Sequence, residues 1–176
     1  GWRAPGYPLA HAWIRVWAVS ALAAAAGIFL WRAFRRLGLR PGPAAALTQL
    51  AFFGTLLFPY ATVFYPYLPG IFFLLLAWDR LETWFGGANG ARPAAAARTA
   101  DLRRAFFYGA LLSLALLMDY IFGIAALALG LRALWLWRGA GAGRWAARAA
   151  CAAAGGAIAP GAFALYCHSI FGAFSI

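Results

Sequence analysis

The chain of 176 residues holds only four carboxylates, and three of them, Asp79, Glu82 and Asp101, sit among arginines. The fourth, Asp119, lies inside the long apolar run Ala105–Trp137, with Tyr120 beside it. A carboxylate at membrane depth is costly and points to function, such as accepting a proton from a hydroxyl. The same residue can serve as the N-cap of a helix beginning at Ile121, and the two roles are compatible. A second cluster, Tyr60, Thr62, Tyr65 and Tyr67, carries hydroxyls and flat rings between prolines. It reads either as an interfacial aromatic belt or as a rim for a sugar or isoprenoid. His11 and His168 are single histidines near expected interfaces, where polar surface is the plain reading. Asp79 and Glu82 share a helical face, with Arg80 as a local charge partner and interface anchor. No nucleophile elbow, P-loop, zinc cluster or dinucleotide fingerprint is present, and no cofactor or metal-ligand pattern is evident.

The elements that position these groups follow from length and charge. As one helix, Ala105–Trp137 would be about 50 Å long, against a hydrocarbon core of about 30 Å. It must fold back, and Met118–Ile121 is the place. Arg103 and Arg104 precede the run, and Arg138, Arg144 and Arg148 follow it. Arginine-rich loops stay on the cytoplasmic side, so the number of crossings between them is even. The same parity applies to the proline-aromatic bend Pro59–Pro69, whose prolines cannot share one regular helix. The expected fold is an all-α membrane protein of about six transmembrane helices arranged as hairpins. Its spans are roughly 14–30, 44–58, 68–84, 105–118, 121–137 and 149–166, in a single unit of 1–176. Trp13, Trp17 and Trp31 are candidate interface anchors, and Arg15 can snorkel. Gly86–Ala100 reads as a low-complexity loop needing no fold. Small residues around Gly155 suit close helix packing, and Pro160 predicts a kink.

Composition supports the membrane class. The chain is 65% hydrophobic and 11% charged, with a net charge of +11. All of its cations are arginine, and most occupy three short loops rather than one basic face. That distribution excludes a nucleic-acid partner and names the lipid bilayer instead. Cys151 and Cys167 would lie about 24 Å apart on one helix, too far for a mutual disulfide. No basic n-region or cleavage site precedes the first apolar run, so no signal peptide is expected. The ends at Gly1 and Ile176 are those expected of an internal fragment of a longer protein.

Three stretches resemble one family. GTLLFPYATVFYPYLPGIFFLLLAW (Gly54–Trp78) is similar to the Gly-Thr…Pro-Tyr…Phe segment of bacterial polytopic glycosyltransferases. LLSLALLMDYIFGIAALALGLRALW (Leu111–Trp135) is similar to their Asp-Tyr hairpin. ALYCHSIFGAFSI (Ala164–Ile176) resembles their closing segment, and RRLG (Arg35–Gly38) stands in the fitting place after the first span. The chain thus resembles a fragment of a GT-C fold membrane glycosyltransferase of the protein-mannosyltransferase-like or Rgt-like type. It departs from the pattern at Pro66–Tyr67 and at Cys167–His168. The resemblance implies a bacterial inner-membrane enzyme that transfers a sugar from a polyprenyl-phosphate donor to an acceptor at the outer face. It also implies that Asp119, Tyr120, Tyr60, Tyr65 and His168 line one outer cavity. The main catalytic carboxylate would then lie upstream of Gly1, and cations or a divalent metal would stabilise the departing lipid phosphate. Two alternatives remain on the residues alone: a transporter or flippase segment and a non-catalytic scaffold subunit. A transporter needs polar groups at mid-membrane, and the spans offer few beyond Thr48, Gln49, Thr55 and Ser113.

Overall fold

A computed structural model describes residues 13, 20–54, 67–86 and 95–172, and every element among them is helical. The helices are α1 (Ala21–Arg36), α2 (Pro41–Phe53), α3 (Tyr67–Phe85), α4 (Ala95–Met118), α5 (Gly123–Trp137), α6 (Ala142–Gly156) and α7 (Ile158–Phe171). Single 3₁₀ turns, Tyr120–Phe122 and Arg138–Ala140, precede and follow α5. The expected all-α class holds for the described residues.

Local chemistry explains most boundaries. Helix α1 stops in a Schellman turn. Gly38 takes a φ of 87°, the Gly38 N–H donates to the Arg35 carbonyl, and the Leu39 N–H donates to that of Phe34. The RRLG run therefore has a local reason of its own. Arg40 is extended because Pro41 follows it, and Pro41 then opens α2, where a missing N–H costs nothing. Pro160 breaks the last helix where its i−4 carbonyl would need a donor. The chain turns at Ala157 and restarts as α7. The helix is thus interrupted at Ala157, three residues before the proline expected to disturb it.

Three expectations need correction. Helix α1 runs on to Arg36, past the expected end at residue 30, so Arg32, Arg35 and Arg36 ride on a helix rather than in a loop. Gly86–Ala100 is not wholly a loop, because α4 already begins at Ala95. The AAARTA stretch is rich in alanine, the best helix former, and an existing helix extends readily. Likewise the last apolar segment starts at Ala142 rather than residue 149, so Arg144 and Arg148 ride on α6.

Helix α4 lies at the centre, packed on α3, α6 and α7. Helix α1 joins the bundle through α3, and α2 through α1. Helix α6 approaches α4 so closely that a Cβ on Gly109 would strike the Ala152 carbonyl, and one on Gly155 the Phe106 carbonyl. The expected small-residue packing is thus found, at the α4–α6 crossing. The core joins Ala77 and Leu81 of α3, Ala105 and Tyr108 of α4, and Ala133 and Trp137 of α5. The Trp137 ring meets Phe85 and Tyr108 edge-on at 5.4 and 6.1 Å. A smaller cluster, Ala23 with Leu68, Leu22 and Phe52, ties α1, α2 and α3 together.

Two stretches are long and apolar enough to cross a membrane, Tyr120–Ala140 and Ala142–Ile170. Only 17% of the most apolar 18-residue window of each is buried, unlike the core helix of a water-soluble domain. Ile124, Leu127 and Leu131 make an exposed apolar stripe at helical spacing along α5. The other expected spans do not combine that length with so few charges among the described residues. Residues 14–19 and 55–66 lie outside them, and α3 carries three charges toward one end and α4 four.

Candidate functional site

The bundle has two chemically different ends. At one end, three of the four carboxylates meet arginines from other helices. Arg36 Nη2 is 2.8 Å from Asp79 Oδ1, and Arg32 Nη1 is 3.9 Å from Oδ2. Arg132 Nε donates to Glu82 Oε1 at 2.7 Å, and Arg148 Nη2 lies 2.7 Å from Asp101 Oδ2. Asp79 faces α1 and Glu82 faces α5, because three residues turn a helix by about 300°, which sets them about 60° apart. The expected local pairing with Arg80 is therefore corrected. Arg80 instead stacks over the Trp84 ring at 5.7 Å. Sequence reading missed these partners because they stand 43 to 50 residues away. The placement of the arginine loops at one end was the available signal.

At the opposite end, Asp119 is extended, with φ −163° and ψ 137°, and its Oδ1 accepts the Ile121 N–H at 2.9 Å. The capping role is real. It opens the 3₁₀ turn Tyr120–Phe122 rather than the α-helix itself, and α5 follows from Gly123. Oδ2 makes no hydrogen bond among the described residues, so one oxygen of the half-buried carboxylate can accept a bond or a proton. Tyr120 is 90% exposed and presents its ring and hydroxyl outward. Phe122 points inward and clamps the turn onto the start of α3. Its ring lies 6.2 Å from Tyr67, edge to face, and rests over Gly70, where any Cβ would collide with it.

Tyr67 is the last member of the proline-aromatic cluster. Tyr60, Thr62 and Tyr65 lie outside the described residues, as does His11. His168 is exposed in the last turn of α7. Helices α4 and α6 run parallel, since Asp101 pairs with Arg148 and Gly109 lies against Ala152 and Gly156. Asp119 is then about 15 Å beyond that crossing and His168 about 18 Å, at the same end. The structure thus brings Asp119, Tyr120, Tyr67 and His168 to one end of the bundle.

An apolar groove leads to this end. It holds about 560 Å³ between α4, α5 and α6, and runs from Trp137 to Leu116 and Gly123 beside the Asp119 turn. Its polar atoms are few. Tyr108 Oη donates to the Leu129 carbonyl at 2.8 Å and Ser113 Oγ to that of Ala110 at 2.9 Å. The buried Trp137 Nε1 has no partner among the described residues. Such a surface is chemically suited to apolar groups. Sequence reading missed the groove, because its walls are ordinary Leu, Ala and Gly positions on three separate helices. Cys151 and Cys167 are free thiols, and no group of three His, Cys, Asp or Glu among the described residues could hold a metal. No known protein family, characterised protein or solved structure matches the chain.

Proposed function

We propose that this chain is the membrane-embedded part of a GT-C-like glycosyltransferase that takes a sugar from a polyprenyl-phosphate donor at the outer membrane face. One observation carries the reading: an apolar groove about 560 Å³ in volume ends beside a half-buried carboxylate and an exposed tyrosine. In this reading the isoprenoid lies along α4 and α5, and its phosphosugar sits at the Asp119–Tyr120 turn. Asp119 Oδ2 hydrogen-bonds a sugar hydroxyl, and the Tyr120 ring covers the apolar face of the sugar. Tyr60, Tyr65 and His168 complete the rim, and the acceptor base is supplied by another part of the full protein.

The reading also orders the membrane. Six spans form three hairpins, with the paired arginine end cytoplasmic and the Asp119 end outside, in a bacterial inner membrane. The bundle supports this arrangement, because the three arginine-carboxylate pairs share the end opposite the acidic turn.

The test is sugar transfer by the full-length protein from a labelled polyprenyl-phosphate sugar. Asp119→Asn keeps the cap, since Asn caps as well as Asp. It is expected to leave thermal stability unchanged while lowering transfer at least about tenfold, the worth of one charge-assisted hydrogen bond. Unchanged turnover in a stable Asp119→Asn protein refutes the site.

A further inference from the structure

A polar cavity of about 450 Å³ lies at the arginine end between α1 and α3. Arg32, Arg35, Arg36 and Arg80 line it, together with Asp79 and Thr83. The lining thus carries four arginines and one carboxylate. Asp79 is only 4% exposed, and it binds Arg36 at 2.8 Å. Thr83 Oγ1 accepts a bond from the same Arg36 nitrogen at 2.7 Å, and its own hydroxyl donates to the Asp79 carbonyl at 2.7 Å. Arg36 is therefore held in place and neutralised. Arg32 reaches Asp79 only at 3.9 Å, beyond hydrogen-bond range. Arg35 spends one donor on the Leu39 carbonyl at 2.7 Å, and Arg80 lies on Trp84 without a carboxylate among the described residues. Each guanidinium carries five donors, so most of those facing this cavity are uncommitted.

We propose that this cavity binds a phosphodiester anion, the headgroup of an acidic membrane lipid. A net excess of three positive charges around a polar hollow calls for a counter-anion, and planar guanidiniums match phosphate oxygens in pairs. Two tryptophans stacked on arginines of the cavity favour the lipid over a soluble phosphate. Trp31 lies under Arg35 at 6.0 Å and Trp84 under Arg80 at 5.7 Å, rings of the type that settle at headgroup depth. Basic hollows between spanning helices are a known way to hold acidic headgroups. The proposal rests on the membrane-spanning reading and not on the sugar-transfer reaction.

The test places the full protein in nanodiscs of phosphatidylcholine carrying a small fraction of phosphatidylglycerol, and counts retained acidic lipid by native mass spectrometry. Wild type is expected to retain phosphatidylglycerol preferentially. Arg35→Gln with Arg80→Gln removes two guanidiniums and leaves the Arg36–Asp79 pair intact. It is expected to weaken retention about thirtyfold, from about 1 kcal/mol per arginine. Each single variant is expected to show part of that loss. Arg138→Gln with Arg144→Gln removes equal charge from the turn after α5 and the start of α6, and is expected to change retention little. Equal loss in both double variants, or none in the first, overturns the proposal. Displacement of the lipid by millimolar inorganic phosphate also overturns it, by reassigning the hollow to a soluble phosphate. Resistance to carbonate extraction in every variant keeps the span assignment separate from this outcome.

Discussion

Truncating either member of the Arg36–Asp79 pair removes the same 2.8 Å contact, yet the two truncations are expected to differ in cost. Asp79 is 4% exposed and Arg36 is 39% exposed. Arg36→Ala leaves a carboxylate in the interior with only Arg32 at 3.9 Å to answer it. Breaking a buried pair costs about 3–5 kcal/mol, and the remaining arginine places this case near 3. Asp79→Ala instead leaves a guanidinium that water reaches and that Thr83 still engages. The loss is then a charge-assisted hydrogen bond with partial rehydration, about 1.5 kcal/mol. With both truncated no charge is stranded, so the double variant is expected to lose about 2 kcal/mol rather than the summed 4.5. Unfolding of the purified protein in mixed micelles by added sodium dodecyl sulfate, followed by far-UV circular dichroism, measures all three. Additive losses, or a larger loss in Asp79→Ala than in Arg36→Ala, would refute the assignment of burial and charge at this end.

Three further outcomes test other parts of the structure. Gly109→Leu or Gly155→Leu is expected to destabilise the bundle by 2 kcal/mol or more, because each side chain would displace backbone at the α4–α6 crossing; wild-type unfolding curves would contradict the close approach. Asp119→Ala is expected to cost about 1 kcal/mol by loss of the Ile121 N–H bond, whereas Asp119→Asn costs nothing measurable; equal stabilities of the two would remove the cap. With Cys151→Ala and Cys167→Ala as background, Thr62→Cys and Asp119→Cys are expected to react with an impermeant thiol reagent from the same side of the membrane. Reaction from opposite sides would dissolve the shared rim.

Much of the organisation was legible in the residues. The fold-back at Asp119 followed from a run too long for one crossing, and α4 ends at Met118 as that argument required. The end of α5 at Trp137 and the break before Pro160 were equally plain, because apolar length and proline chemistry act within a few residues. Helix beginnings were read too late, at Ala95 and Ala142, since alanine and arginine continue a helix as readily as they fill a connector. The rim residues Tyr60 and Tyr65 lie outside the described residues, while Asp119 and Tyr120 stand where the hairpin placed them.

By itself, the amino-acid order determined an all-helical, bilayer-suited chain whose arginine connectors share one end, because segment length and charge spacing are local properties. Which arginine meets which carboxylate, and that three helices leave an apolar groove ending at the acidic turn, only the tertiary structure decided. Those partners stand tens of residues apart, and a helix face carries no sign of its neighbour until packing chooses one.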